Sequence, residues 1–131
     1  MRIFATKWFA RFARKEKIDD EQLHEAIARA ERGNIDAELG GNLIKQRVAR
    51  RGRGRSGGYR TVIAYHANSR SIFLYGFAKN ERENVETPDL ENLKKLAKRL
   101  LALSSAEIDA ALAERELIEA PGGKKNKDEI S

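Results

Sequence analysis

The chain has 131 residues, a formal net charge of +6 and no cysteine, which excludes a disulfide framework and a cysteine-ligated metal. This length is sufficient for one domain with a modest core. No apolar run reaches the roughly 18 residues that a membrane span requires, and the basic N-terminus lacks the apolar segment of a secretory signal. We therefore expect a cytoplasmic protein.

The first quarter of the chain predicts a strand and two helices. "RIFAT" is a short apolar start typical of a strand. In the next segment Trp8, Phe9 and Phe12 recur at helical spacing, which favours packing in a core over a base-stacking platform. Asp19 and Gln22 have the spacing of a helix-capping box. Two N-terminal helices in hairpin order are predicted.

The middle of the chain reads as a run of strands. Residues 36–50 predict a strand pair or a bulged strand, interrupted by Gly-Gly-Asn. Its second piece has one mostly apolar face, formed by Ile44, Gln46 and Val48, while Lys45 and Arg47 alternate onto the other face. "GYRTVIAYHA" and "SIFLYGFAK" are apolar on both faces and are expected to be central strands.

The C-terminal part of the chain predicts helices and a tail. Thr87-Pro88 has the sequence of a helix start, and Ser104 with Glu107 forms a second capping box ahead of a short last helix. Residues 121–131 have no apolar pattern and read as a disordered tail, so residues 1–120 are expected to form one domain.

The predicted order β-α-α-β-β-β-α-α favours an α+β fold. We expect an N-terminal helical hairpin packed as a single layer on a small, mainly antiparallel sheet. The C-terminal helices should pack near an edge or end of that sheet.

Charge is distributed unevenly along the chain. Residues 39–80 hold nine basic side chains and no acidic one, whereas acidic and basic residues nearly balance on either side. Within this basic zone, "VARRGRGRSGGYRTVIAY" carries five arginines and four glycines. Such a zone attracts phosphate-rich partners; a merely solvated basic face is the alternative.

The sequence lacks the residues that several kinds of catalytic or phosphate-binding site require. There is no His/Cys/carboxylate cluster with metal-ligand spacing, the glycine-rich stretch lacks the G-K-[ST] ending of a P-loop, and no Ser/His/Asp arrangement is apparent. Phosphodiester cleavage would therefore have to proceed without a metal. RNA permits this, because its 2′-hydroxyl attacks the adjacent phosphorus while arginine stabilises the charge and lysine or histidine moves protons.

Candidate residues for contacts with RNA lie in and beside the glycine-rich loop. We expect its arginines to contact phosphates without sequence preference: Arg50, Arg51, Arg53 and Arg55. His66, near a strand end, is either an ordinary strand-end residue or a group that acts on RNA. Tyr59 and Tyr65 are expected in the core rather than stacked on bases.

The stretch from Lys45 to Val85 resembles the core of the RelE/ParE superfamily of toxins from bacterial type II toxin–antitoxin systems, and within it the HigB-type, RelE-like toxins. The resemblance depends on "IKQRVARRGRGRSGGYRTVIAY" and "FLYGFAKNERENV", and the order of the surrounding helices extends it over about residues 1–118. It implies a metal-independent endoribonuclease without a cofactor, which cuts mRNA on the ribosome and inhibits translation. A small cognate antitoxin, often a helix-turn-helix protein, is the implied partner.

The resemblance also implies roles for individual residues. Arg60 matches the arginine of the "GYR" motif, which is implied to stabilise the scissile phosphate. Lys45 and Arg47 lie on the strand whose basic residues are implied to bind phosphate or act as general base. Lys79 matches the lysine that ends the last strand, and Arg82 follows it as a further RNA contact.

Two departures and two alternatives accompany the resemblance. Asn80 stands where the best-known RelE-type toxins carry a catalytic arginine, and Glu86 where they place a tyrosine. ParE-type relatives share the fold but inhibit DNA gyrase without cleaving RNA. A passive nucleic-acid-binding module is the other alternative.

Overall fold

The structure covers most of the chain. The computed structural model describes residues 1–50, 54–78 and 87–120, and at residues 50, 54–57, 87 and 88 it describes the backbone alone. The tail predicted for residues 121–131 lies outside the described residues.

Four helices and six strands form within this described part. In chain order they are β1 (Arg2–Thr6), α1 (Lys7–Glu16), α2 (Asp20–Glu31), β2 (Ala37–Gly40), β3 (Leu43–Arg50), β4 (Gly54–His66), β5 (Arg70–Ala78), α3 (Thr87–Leu101), α4 (Ser105–Ala113) and β6 (Leu117–Glu119). The predicted α+β class is confirmed. Of the two alternatives predicted around Gly-Gly-Asn, the structure has the strand pair, as β2 and β3.

The six strands form one sheet in the order β2-β3-β4-β5-β1-β6. Strands β2 to β5 form an antiparallel meander, whose first turn has Gly41 and Asn42 at φ values of 61° and 62°, as a type I′ hairpin turn requires. Strand β1 pairs with β5 in parallel, and β6 adds an antiparallel edge. The sequence analysis did not predict β6, because a three-residue strand is too short to show alternation.

The first hydrophobic core lies between one face of the sheet and the N-terminal helices. Helix α1 packs over β5 and α2 packs over β3. Phe9, Ile27 and Phe73 are fully buried there. Tyr59 belongs to this core, as predicted, and donates a hydrogen bond from its hydroxyl to Glu16 Oε1 at 2.9 Å. The arrangement of α1 and α2 as a hairpin stays a prediction.

The second hydrophobic core lies on the opposite face, under α3. Ala97 and Leu100 pack with Val62 and Ala64, which alternate with the first-core residues of β4. The prediction of a single helical layer, with the last helices near an edge, is therefore wrong for α3. Because β4 and β5 are apolar on both sides, each face of the sheet needs its own helical cover.

Helix capping follows the sequence closely. Asp19 accepts the N–H of Gln22 at 2.9 Å while the Gln22 side chain accepts the N–H of Asp19. Ser104 and Glu107 form the same reciprocal pair at the start of α4. These boxes fix where the two helices begin.

Candidate nucleic-acid interface

Two arginines face each other across the central strands. Arg47 of β3 lies directly opposite Arg60 of β4, and Lys45 lies opposite Val62. Directly opposed residues of an antiparallel pair project from the same face of the sheet, and residues two apart on one strand share a face. Lys45, Arg47 and Arg60 therefore lie on one face, the face that holds the second core. We call these three residues the cation cluster.

The electrostatics of this cluster favour an anion. The side chains of Arg47 and Arg60 are half-buried, and neither forms an ion pair with a carboxylate among the described residues. Like charges directly opposed across a strand pair destabilise the sheet. A phosphate placed between two guanidinium groups would remove that repulsion and could accept bidentate hydrogen bonds from each.

On the side of β3 that faces away from β4, the backbone of Arg47 forms hydrogen bonds with side chains and not with another strand. Strand β2 begins at Ala37, opposite Lys45, so the edge of β3 beyond this point has no strand partner. Asp36 Oδ2 accepts the N–H of Arg47 at 2.6 Å, and Arg29 donates to its carbonyl. Arg29 Nη1 lies 3.9 Å from Asp36 Oδ2, and its Nε donates to Glu25 at 3.1 Å. We call Glu25, Arg29 and Asp36 the clasp.

Gln46 anchors the clasp from inside the protein. Its side chain is fully buried; it donates to the carbonyl of Ala26 at 2.9 Å and accepts the N–H of Asp36 at 2.8 Å. Thr61 donates to the Gln46 carbonyl at 2.8 Å. The sequence placed Gln46 on the correct face but gave no role for it. An uncharged amide between Ile44 and Val48 on that face is the only signal that could have indicated one.

Aromatic side chains border the cluster on β5. Phe77 lies opposite Arg60, and Tyr75 lies opposite Val62. Trp8 stacks on Tyr75 with ring centroids 4.7 Å apart and remains 42% exposed. The prediction that the aromatic stripe of α1 belongs to the core holds for Phe9 but is wrong for Trp8. Because β1 ends at Thr6, Trp8 covers the β5 edge beyond it.

His66 does not join the cation cluster. It ends β4, six residues from Arg60, which is about 20 Å at roughly 3.3 Å per residue. There it lines a groove of about 550 Å³ with Lys94, Lys95 and Lys98 of α3. One phosphate group cannot touch both His66 and Arg60.

The structure describes only some of the remaining candidate residues. Lys79, Arg51, Arg53 and Arg82 lie outside the described residues, as do Asn80 and Glu86. The backbones of Arg50 and Arg55 belong to β3 and β4. Their expected contacts with RNA stay predictions.

The described residues contain neither a candidate metal site nor a candidate membrane-spanning helix. Within 1–50, 54–78 and 87–120, no group of three or more His, Cys, Asp or Glu residues is arranged to hold a metal ion. No helix of the same ranges is both long and apolar enough to cross a membrane.

Comparison with known proteins identifies the class to which this fold and cluster belong. The family model described as the RelE toxin of the RelE/RelB toxin–antitoxin system matches residues 1–120. The chain therefore belongs to the RelE toxin family, and it is a toxin whose partner is a cognate antitoxin. No curated protein matches the chain.

Proposed function

We propose that this toxin is a ribosome-dependent endoribonuclease that cuts mRNA and thereby inhibits translation. In this proposal it acts in the cytoplasm without a metal or cofactor. Its antitoxin is a helix-turn-helix protein, as in HigB-type systems.

The observation that carries the proposal is the opposition of Arg47 and Arg60. These two guanidinium groups share one face of the sheet with Lys45, and neither has a carboxylate partner among the described residues. A carboxylate in ion-pair contact would compete with RNA for the arginines. Fixed cations without such a competitor are suited to binding a phosphodiester.

The reaction is transfer of the phosphoryl group within the RNA. The 2′-oxygen loses its proton to a base and bonds to the phosphorus, while the bond to the 5′-oxygen breaks and that oxygen takes up a proton. The products are a 2′,3′-cyclic phosphate and a 5′-hydroxyl. Arg60 stabilises the charge that builds on the phosphorane oxygens. Arg47 binds the phosphate, Lys45 binds the phosphate or serves as the base, and Lys79 completes the set.

Ribosomes translating a defined mRNA provide the test. Arg60→Ala should lower cleavage about 100-fold or more, whereas Arg11→Ala, which removes an exposed arginine from α1, should leave cleavage unchanged. Mapping the new 5′ ends should show cuts in codon register.

Two results would contradict the proposal. Full growth inhibition by the Arg60→Ala/Lys79→Ala double variant would mean that these residues do not carry the activity. Growth arrest by the wild-type toxin without new transcript ends would instead favour a non-cleaving toxin, such as an inhibitor of gyrase.

A further inference from the structure

The lysine groove on α3 is a second basic site, separate from the cation cluster. Lys94, Lys95 and Lys98 line it together with His66 and Asn42, and the groove has a volume of about 550 Å³. Among the residues that the structure describes, its one acidic lining residue is Glu91, whose Oε2 lies 3.7 Å from Lys94 Nζ. Lys95 and Lys98 are exposed, and neither has an ion-pair partner within the described parts of the chain.

The groove is partly preformed, because the β2–β3 turn packs against Lys94. A Cβ at Gly41 would lie 3.1 Å from Lys94 Cγ, and the φ of Gly41 is +61°. Only glycine combines this backbone conformation with so close an approach. The stem of Lys94 therefore lies against the turn, which restricts the positions that its ammonium group can reach.

The groove and the cation cluster lie on the same face of the sheet. On β4, Val62 and Ala64 face the second core while Ile63 packs in the first, so His66 continues the alternation that starts at Arg60. Their separation of about 20 Å exceeds the size of one phosphate group but not the reach of a nucleic-acid strand.

We propose that the lysine groove binds the phosphate backbone of an RNA segment other than the one that is cleaved. The inference rests on the proposed function in that its partner is RNA. Three ammonium groups, with one paired carboxylate among the described lining residues, suit a polyanion, because lysine binds phosphate as a point charge without demanding a fixed geometry. The groove would hold the toxin on structured RNA while the cation cluster acts on the message.

The salt dependence of RNA affinity tests this proposal with an RNA that cannot be cleaved. The probe is a fluorescein-labelled, 20-nucleotide 2′-O-methyl RNA, which has no 2′-hydroxyl to react. For single strands, the slope of log affinity against log salt changes by about 0.7 per phosphate contact. Replacing Lys94, Lys95 and Lys98 with Gln should therefore reduce the slope by roughly 2.

Two further variants control for net charge and for folding. The triple variant Arg11→Gln/Arg14→Gln/Lys15→Gln removes equal charge from exposed positions of α1, in the other helical layer, and should change the slope by less than about 0.5, since it removes no phosphate contact. Lys95→Gln/Lys98→Gln leaves the packed stem of Lys94 intact and should still reduce the slope by roughly 1.4.

Equal slopes for the groove and α1 variants would overturn the inference. So would a poly-glutamate peptide of 20 residues that binds the wild-type groove as tightly as the RNA, because the groove would then fit an acidic protein. Cleavage by Arg60→Ala is measured separately on ribosomes. A normal cleavage rate for Arg60→Ala would contradict the proposed function. The difference in salt slope between the variants would still decide whether the lysine groove binds RNA.

Discussion

The carboxylate of Asp36 accepts the backbone N–H of Arg47 at 2.6 Å. This bond holds Arg47 at a point where β3 has a neighbouring strand, β4, on one side only, and Arg29 holds the carbonyl of the same residue. Asp36 is thus a positioning residue for the cation cluster, because it acts on Arg47 through the backbone N–H of that residue.

Loss of the Asp36 carboxylate should impair cleavage by displacing Arg47. Asp36→Ala is expected to lower the cleavage rate about 10- to 100-fold, since small misplacements of a catalytic group cost that much. Asp36→Asn should retain most of the activity, because its amide oxygen can still accept the N–H. Single-turnover cleavage of ribosome-bound mRNA measures both.

The control for this prediction is the background without the Arg47 side chain. In Arg47→Ala, the additional change Asp36→Ala should have little further effect on cleavage. If Asp36→Ala lowered cleavage as much in the Arg47→Ala background as in the wild type, Asp36 would support the fold in general and not the position of Arg47.

Replacement of the buried Gln46 should destabilise the protein. Gln46→Leu leaves the N–H of Asp36 and the carbonyl of Ala26 without their partner. We expect the free energy of unfolding to fall by about 2–4 kcal/mol. Urea denaturation measures this, with Asn92→Leu on the exposed face of α3 as the matched control. A change below about 0.5 kcal/mol, as expected for Asn92→Leu, would show that the amide is dispensable.

Gly76 provides the space for the aromatic packing of α1. A Cβ at this position would lie 2.7 Å from Phe12 Cε2 and 3.1 Å from Phe9 Cε1. Gly76→Ala should therefore lower the free energy of unfolding by about 1–3 kcal/mol. Adding Phe12→Leu should recover part of the loss, because the smaller side chain makes room. Strictly additive effects of the two substitutions would argue against this contact as the cause.

Part of this site could be predicted from local sequence. The alternation of Ile44, Lys45, Gln46 and Arg47 assigns the two cations to one face, and the capping box at Asp19 marks the start of α2. The opposition of Arg47 and Arg60 could not be predicted, because register depends on where the hairpin turns within a stretch rich in glycine and arginine.

Other parts of the site depend on tertiary packing. The clasp joins Glu25, Arg29 and Asp36 to Arg47, and these residues come together only when α2 packs over β3. The exposure of Trp8 depends on where β1 ends in the assembled sheet. The placement of His66 follows from the length of β4, which separates it from Arg60 by half of that 13-residue strand.

The most direct test of the central claim, that Arg47 and Arg60 act on one phosphate, is a double-mutant cycle in single-turnover cleavage of ribosome-bound mRNA. Each alanine variant should lose about 100-fold or more. The double variant should lose far less than the product of the two losses, because residues that act as a unit are not additive. Two independent, multiplying losses, or a normal rate for either single variant, would contradict the claim.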